Sequence, residues 1–303
     1  MSRVLVTGAG GFVGSHLCCG LAELGFEVIA SDRVFDSEVE ARLGRLERLT
    51  GDVRNLRNGL GALDFVIHGA AVTADPSEMG VSAGAALEEN VGLTLAALRV
   101  AESCQAKRLV LLSSAGVFSG EQVAPLDENA DPTSLNLYAA AKRIGETAAQ
   151  SLRKSGELDA VSVRLGNLYG PCEQPRQTRP RMGLIARLLA EAASEKTLTL
   201  TTPGVRREWT WVQDLAPRIA RLFVHPSPPD VMHLCAPETA TDYEIAKKLQ
   251  RLLPEARIEL CPKVTLPEVR PPLESRFADV LGPTFWTPLD KGLTELVRES
   301  MRA

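Results

Sequence analysis

Tyr138 and Lys142 stand four residues apart in "YAAAK", a spacing that sets both on one face of a helix. A free tyrosine has a pKa of about 10 and is a poor base at neutral pH. Cations beside it favour the phenolate, which can then take a proton from a substrate hydroxyl. The spacing alone is a common accident, so its meaning rests on the surrounding sequence. Ser113 and Ser114 end the β-like run "RLVLLSS" (108–114), and strand ends are where an α/β fold places its chemistry. A serine there can hydrogen-bond a substrate oxygen as charge develops on it, or simply cap the backbone locally.

A second set of residues is suited to a phosphate-bearing ligand. "VTGAGGFVGSH" (6–16) places Gly8, Gly10, Gly11 and Gly14 between a β-branched run and a helical pattern. A GxGxxG fingerprint fails because residue 13 is Val, whereas GxxGxxG fits Gly8, Gly11 and Gly14. A tight turn, a bare backbone facing a pyrophosphate and a close helix–strand contact each ask for glycine. Phe12 and Val13 open the helix, whose N-terminus offers free N–H groups and partial positive charge. Asp32 ends the next strand pattern, "FEVIASD", 24 residues after Gly8, and suits the ribose hydroxyls of an adenosine. Its charge repels a 2′-phosphate and so favours NAD over NADP. Arg33 beside it argues the other way, since arginine pairs with phosphate.

The elements that must position these residues alternate. "RVLVTG", "FEVIASD", "LERLTGDV" (46–53), "DFVIHGAA" (64–71), "RLVLLSS" and "AVSVRLGN" (160–167) read as strands. Helical patterns lie over about 13–24, 83–104 and 137–155. The strands are nearly continuous apolar runs, as in a parallel sheet covered on both faces. The expected fold is a Rossmann-like, doubly wound α/β sheet with a smaller C-terminal substrate-binding lobe. Residues 1–170 would form the dinucleotide-binding domain, recruiting about 211–236, where "VMHLCA" (231–236) reads as one more core strand. Residues 171–303 would supply most of the interleaved lobe, starting with the proline- and arginine-rich loop "YGPCEQPRQTRPRM".

Composition narrows the function. The chain has 303 residues, 45% hydrophobic and 24% charged, with a net charge of −4, which points away from nucleic acid. No apolar run approaches the roughly 20 residues that cross a bilayer. The strand pattern at the N-terminus leaves no signal peptide, so the expected location is cytoplasmic. Cys18, Cys19, Cys104, Cys172, Cys235 and Cys261, with four scattered histidines, make no metal-ligand spacing. The cysteines are expected to be buried, reduced thiols acting as small hydrophobes.

The combination resembles the extended short-chain dehydrogenase/reductase family, in its NAD-dependent epimerase/dehydratase branch. The correspondence runs nearly end to end: "TGAGGFVG", Asp32, "GDV" (51–53), "HGAA" (68–71), "NVGLT" (90–94), "SSAGVF" (113–118), "YAAAK", "RLGNLYGP" (164–171) and "RREWTWVQDLA" (206–216). The resemblance implies a catalytic set of Ser114, Tyr138 and Lys142. It implies that Asp52 and Val53 meet the adenine, that Gly69, Ala70 and Ala71 line the dinucleotide path, and that Asn90 lies near the nicotinamide. Asn167 and Arg207 match positions that hold a nucleotide-sugar, and Arg270 resembles a late arginine that contacts a diphosphate. The helices near 83–104 and 137–155 match those that pair in the family's homodimers. In these terms Tyr138 takes the hydroxyl proton while its carbon passes hydride to the nicotinamide. Ser114 steadies the same oxygen, and Lys142 holds the phenolate and the nicotinamide ribose.

Departures from the family pattern narrow the reaction. Sugar 4,6-dehydratases carry an Asp-Glu pair after the serine or threonine, and the related decarboxylases keep a glutamate there. This chain has Ala115 and Gly116, which transfer no proton. Epimerisation of a nucleotide sugar is the expected reaction, with a one-way dehydrogenase or reductase of a sugar, sugar acid or other alcohol as the alternative. A dinucleotide-binding protein without turnover is a third reading, disfavoured because both Tyr138 and Lys142 are kept. Arg176, Arg179 and Arg181 add positive charge to the substrate lobe, though each reads more readily as a solvated surface residue.

Overall fold

The computed structural model describes residues 1–56, 60–120, 122, 126–261, 270–281 and 285–300. The chain lays down β1 (Arg3–Thr7), α1 (Phe12–Glu23), β2 (Glu27–Asp32), α2 (Ser37–Leu43), β3 (Glu47–Thr50), β4 (Phe65–His68), α3 (Pro76–Met79), α4 (Ala83–Ser103), β5 (Arg108–Ser114), α5 (Leu137–Ser155) and β6 (Ala160–Leu165). It continues through β7 (Leu168–Tyr169), α6 (Leu184–Glu195), β8 (Thr197–Leu200), β9 (Arg206–Glu208), β10 (Thr210–Trp211), α7 (Leu215–Val224) and β11 (Val231–Leu234). β12 (Thr239–Thr241), α8 (Asp242–Leu252), β13 (Arg257–Leu260) and α9 (Leu289–Ser300) complete it.

Seven strands make one sheet in the order β3-β2-β1-β4-β5-β6-β11, and every neighbouring pair is parallel. The chain reverses direction across the sheet between β1 and β4, which opens a crevice at their C-terminal ends. Alternation along β1 shows why its sequence is apolar throughout. Val4 and Val6 join a core with residues of α1 and α7, while Leu5 joins the opposite core with residues of α4 and α5. "LERLTGDV" yields a strand only over Glu47–Thr50, because it is the sheet's edge and mostly exposed.

A separate apolar cluster holds the smaller lobe together. Ile185 and Leu188 of α6, Leu198 and Leu200 of β8, Ile245 and Leu249 of α8, and Leu293 and Leu296 of α9 pack together there. Trp209 and Trp211 belong to the same cluster as core residues. Short strand pairs brace it: β13 runs parallel to β8, β12 antiparallel to β9, and β10 parallel to β7. Among the described residues no helix is long and apolar enough to cross a membrane.

The cysteines correct one expectation. Cys18 and Cys235 are buried, but Cys172 and Cys261 are exposed. Partial burial and a hydrogen bond to Glu38 push the Cys172 thiol up to about 11, so it stays protonated at neutral pH.

Candidate active site

The glycine turn packs backbone against backbone. Gly8 has φ +78°, and a Cβ there would lie 2.5 Å from the Ala70 nitrogen and 2.6 Å from the Gly69 carbonyl carbon. A Cβ on Gly14 would lie 2.1 Å from the Gly8 oxygen, and one on Gly11 3.2 Å from it. Gly10 falls outside the GxxGxxG spacing, yet a Cβ there would meet the Val34 oxygen at 2.2 Å. Its need for glycine comes from the loop after β2, which no local pattern reveals. Gly11 caps α1 with no side-chain hydrogen bond, so the helix keeps free N–H groups at the crevice. Phe12 is buried and Val13 half-buried against the core on the inner side of α1.

Asp32 closes β2 beside this turn. Its Oδ2 accepts from the Gly10 N–H at 2.8 Å and its Oδ1 from the Arg33 N–H at 2.6 Å. Burial raises its pKa, and these backbone bonds work against that rise. Asp52 caps the short turn 53–55 through the Arg54 N–H (2.9 Å), and Val53 is buried against Leu93, Ala96 and Ala97 of α4. Hydrogen bonds from Arg54, reinforced by Arg33, hold the Asp52 carboxyl well below the usual carboxylate range. Gly69 donates to the Thr7 oxygen (3.0 Å), so the chain leaves β4 against β1. Asn90 receives the Val72 N–H (2.8 Å) and donates to the Val72 oxygen (2.9 Å), which clamps the segment after Ala70 and Ala71.

A small cavity lies between that segment and α5, lined by Ala70, Ala71, Asn90, Tyr138 and Lys142. Asn136 caps α5 by accepting the Ala139 N–H at 2.8 Å, which places Tyr138 in the first turn, where it lines the cavity. Lys142 is buried, with Nζ 2.8 Å from the Leu112 oxygen of β5 and 5.5 Å from the centre of the Tyr138 ring. Ser114 Oγ accepts the Gly116 N–H at 3.0 Å. A Cβ on Gly116 would stand 3.2 Å from Ser114 Oγ and 3.8 Å from Tyr138 Cε1, so the serine and the tyrosine flank one gap. The three expected catalytic residues therefore converge.

Two buried groups behind them escaped the sequence reading. His68 Nδ1 lies 2.7 Å from Thr7 Oγ1, and burial together with the Lys142 charge pulls its pKa down to about 3. It is neutral at working pH. Glu146, one turn beyond Lys142, accepts from Ser113 Oγ (2.5 Å) and from Arg164 Nε and Nη2 (2.9 and 2.8 Å). Ser113 thus serves the core, and Ser114 stands against Gly116 instead. The signal available for Glu146 was its i+4 place after Lys142.

The substrate side is built differently from expectation. Asn167 donates from both its N–H and its amide to Glu208 Oε1, at 3.1 Å each. Arg270 Nη1 lies 3.1 Å from Glu208 Oε2, and its Nη2 also pairs with Glu208. Glu208 is fully buried and joins the two expected substrate residues. Arg207 precedes Glu208 in β9, so its side chain leaves the opposite face of the strand. There it pairs with the fully buried Asp242 through Nε at 2.8 Å and Nη2 at 3.2 Å. Arg207 is not gathered with Asn167 and Arg270. Arg176, Arg179 and Arg181 are each ion-paired, with Asp36, Glu173 and the Asp75–Glu78 pair. The Thr178 oxygen accepts from the Thr73 and Ala74 N–H groups at 2.8 and 3.1 Å. The loop 171–182 is therefore strapped to both banks of the crevice.

The model of the NAD dependent epimerase/dehydratase family matches residues 4–235. The chain belongs to that family. NAD is accordingly its cofactor, and the turn agrees, since glycines that no side chain could replace bring the backbone tightly round into a helix N-terminus without a side-chain cap. Among curated relatives, UDP-glucuronic acid decarboxylase 4 of Arabidopsis thaliana is 29% identical over 315 residues, covering 98% of this chain and 68% of the relative. The dTDP-4-dehydro-6-deoxy-D-allose reductase of a Streptomyces species is 29% identical over 277 residues, covering 86% and 84%. The UDP-N-acetylglucosamine 4-epimerase of Methanobrevibacter ruminantium M1, solved with UDP-N-acetylmuramic acid, superposes with a TM-score of 0.88 at 19% identity, covering 99% and 98% of the two chains. The UDP-glucose 4-epimerase of Thermotoga maritima, solved with UDP-glucose, gives 0.87 at 20% identity and 99% of both chains. These structures share the fold.

Proposed function

We propose that the protein is an NAD-dependent nucleotide-sugar epimerase in which Tyr138 is the base. The observation that carries this reading is the convergence of Ser114 and Tyr138 on Gly116, with Lys142 behind the tyrosine and no second proton carrier at Ala115 or Gly116. Bound NAD supplies a hydride acceptor that can return the hydride to either face of the oxidised carbon. Everything else falls to the chain. Tyr138, as phenolate, takes the proton of the substrate hydroxyl and later gives it back. The Lys142 ammonium favours that phenolate by its charge, and one of its three N–H donors is spent on the Leu112 oxygen. The others would be left for the Tyr138 oxygen and the nicotinamide ribose of bound NAD. Ser114 Oγ has used a lone pair on the Gly116 N–H, which leaves its proton free to donate to the reacting oxygen. Gly8, Gly11 and Gly14 allow the tight turn whose backbone meets the pyrophosphate, and Asp32 takes the adenosine ribose. Two copies pair through α4 and α5, where Leu95 and Ile144 are exposed.

One observation favours a second reading, a dehydrogenase or reductase of a smaller sugar or sugar acid. Arg207 and Arg270 both neutralise buried carboxylates of the chain itself, so neither brings a spare charge to a substrate diphosphate. Incubation with a panel of nucleotide sugars and catalytic NAD separates the two. An isomer of equal mass with no net NADH supports the epimerase. Stoichiometric NADH, or turnover of free sugars as fast as nucleotide sugars, overturns it in favour of the second reading.

A further inference from the structure

Arg33 directly follows Asp32, the position from which an arginine can welcome the 2′-phosphate of NADP. Its guanidinium is engaged elsewhere. Nε lies 2.9 Å from Asp52 Oδ2, and Nη2 lies 2.6 Å from the same oxygen and 2.5 Å from Glu89 Oε1. Arg54 grips the same two carboxylates. Its Nε and Nη2 reach Asp52 Oδ1 and Oδ2 at 2.9 and 2.7 Å, and its Nη1 reaches Glu89 Oε2 at 3.0 Å. Two cations and two anions thus form a closed, neutral ring at the adenosine end of the crevice. Arg33, Asp52 and Arg54 come from loops of the sheet, whereas Glu89 reaches in from α4.

We propose that Glu89 is a cofactor-specificity residue: by completing this ring it keeps Arg33 off the ribose 2′ position and leaves Asp32 to exclude NADP. The inference rests on NAD being the cofactor, not on which reaction the site performs. Counting charges shows why Glu89 matters. Without its carboxylate, one anion faces two arginines, and Arg54 already chelates Asp52 through two nitrogens. Arg33 then keeps only Asp52 Oδ2, an oxygen it shares with Arg54, so one cation of the pair is in surplus and Arg33, the neighbour of Asp32, can turn to a phosphate. The other nearby arginine, Arg176, keeps its own partner, Asp36, at 2.5 Å. Because the ring is partly exposed, the gain is expected at the low end for a charge-assisted contact, about tenfold.

The test is calorimetric titration with NAD and with NADP at fixed ionic strength. It uses the wild-type chain, Glu89→Gln, Arg33→Ala and the double variant. Glu89→Gln is expected to bind NADP about tenfold tighter while its NAD affinity changes less than about threefold. The double variant is expected to lose that gain. Unchanged NADP affinity in Glu89→Gln overturns the proposal. A gain that survives in the double variant also overturns it, because removing one negative charge would then suffice without Arg33. If the wild-type chain bound neither dinucleotide, the cofactor assignment itself would fall, which is a different result from NAD binding with an inert Glu89.

Discussion

Glu146 and Arg164 offer a quantitative test of how the elements carrying Ser114, Tyr138 and Lys142 are held. Glu146 lies on α5 with Lys142, Ser113 lies on β5 next to Ser114, and Arg164 lies on β6. All three side chains are buried, at 7%, 3% and 5% exposure, so the surrounding protein screens their charges poorly. Removing one member of a buried pair strands the other charge, at a cost of about 3 to 5 kcal/mol. Glu146→Leu and Arg164→Met are each expected to lose that much. The double variant strands no charge. It leaves only the Ser113 hydroxyl without its acceptor, for about 1 to 3 kcal/mol.

The two single losses add to roughly 6 to 10 kcal/mol, against about 1 to 3 for the double, a coupling of at least about 3 kcal/mol. Guanidinium titrations followed by helical circular dichroism measure all four proteins. Adding Ser113→Ala to the double is expected to recover part of the remaining loss. Two results refute the reasoning. One is single variants within about 1 kcal/mol of wild type, since surface-like pairs behave so. The other is a double variant whose loss equals the sum of the singles, because two residues that do not share a charge pair simply add.

Three further outcomes are expected. Tyr138→Phe removes only the ionisable oxygen, so turnover should fall by about 10²- to 10⁴-fold while calorimetric NAD affinity stays unchanged. Burial holds the His16 and His68 pKa values down, to about 4 and about 3, so the unfolded chain binds protons that the folded chain refuses. Stability is then full above pH ~6.5 and falls as pH drops below it, by about 2 kcal/mol per histidine between pH 7 and 5. Denaturant titrations at both pH values should show this, and His68→Asn should remove about half of the two-histidine effect. Arg207→Ala leaves the buried Asp242 with the Thr202 hydroxyl at 2.6 Å but no cation, so thermal melting should fall along with any rise in KM. A raised KM with unchanged melting would show instead that Arg207 works on substrate and not on Asp242.

The large sheet was legible because parallel strands buried on both faces are written as apolar runs, and "RLVLLSS" became β5 over the same residues, Arg108–Ser114. The long helices were legible for a related reason, since α4 and α5 fill the 83–104 and 137–155 patterns nearly to the residue. The smaller lobe was not. β7, β9, β10 and β12 have two or three residues each, and they exist because of partners far along the chain, as in the pairing of Thr210 with Leu168 and of Ala240 with Arg207. A two-residue strand has no period to read.

The same physics separates the parts of the site. Tyr138, Lys142 and the glycine turn depend on spacing within one element, and spacing is what a sequence displays. The role expected of Arg207 on the substrate side depends instead on strand register, where one residue changes the face. "RRE" permits either Arg207 or its neighbour to face Asn167. The antiparallel pairing of β9 with β12 is what turns Glu208 toward Asn167 and Arg270 and sends Arg207 to Asp242. Register also explains how a carboxylate came to sit where a cation was expected. Glu208 is fully buried, and it is tolerated because Arg270 and two N–H groups from Asn167 converge on it. A diphosphate seated against Asn167 would therefore meet Arg270 only by drawing it from Glu208 or by sharing it. On the proposed nucleotide-sugar reading, binding on this side would be set by how far Glu208 releases its arginine, and not by the number of arginines in the lobe.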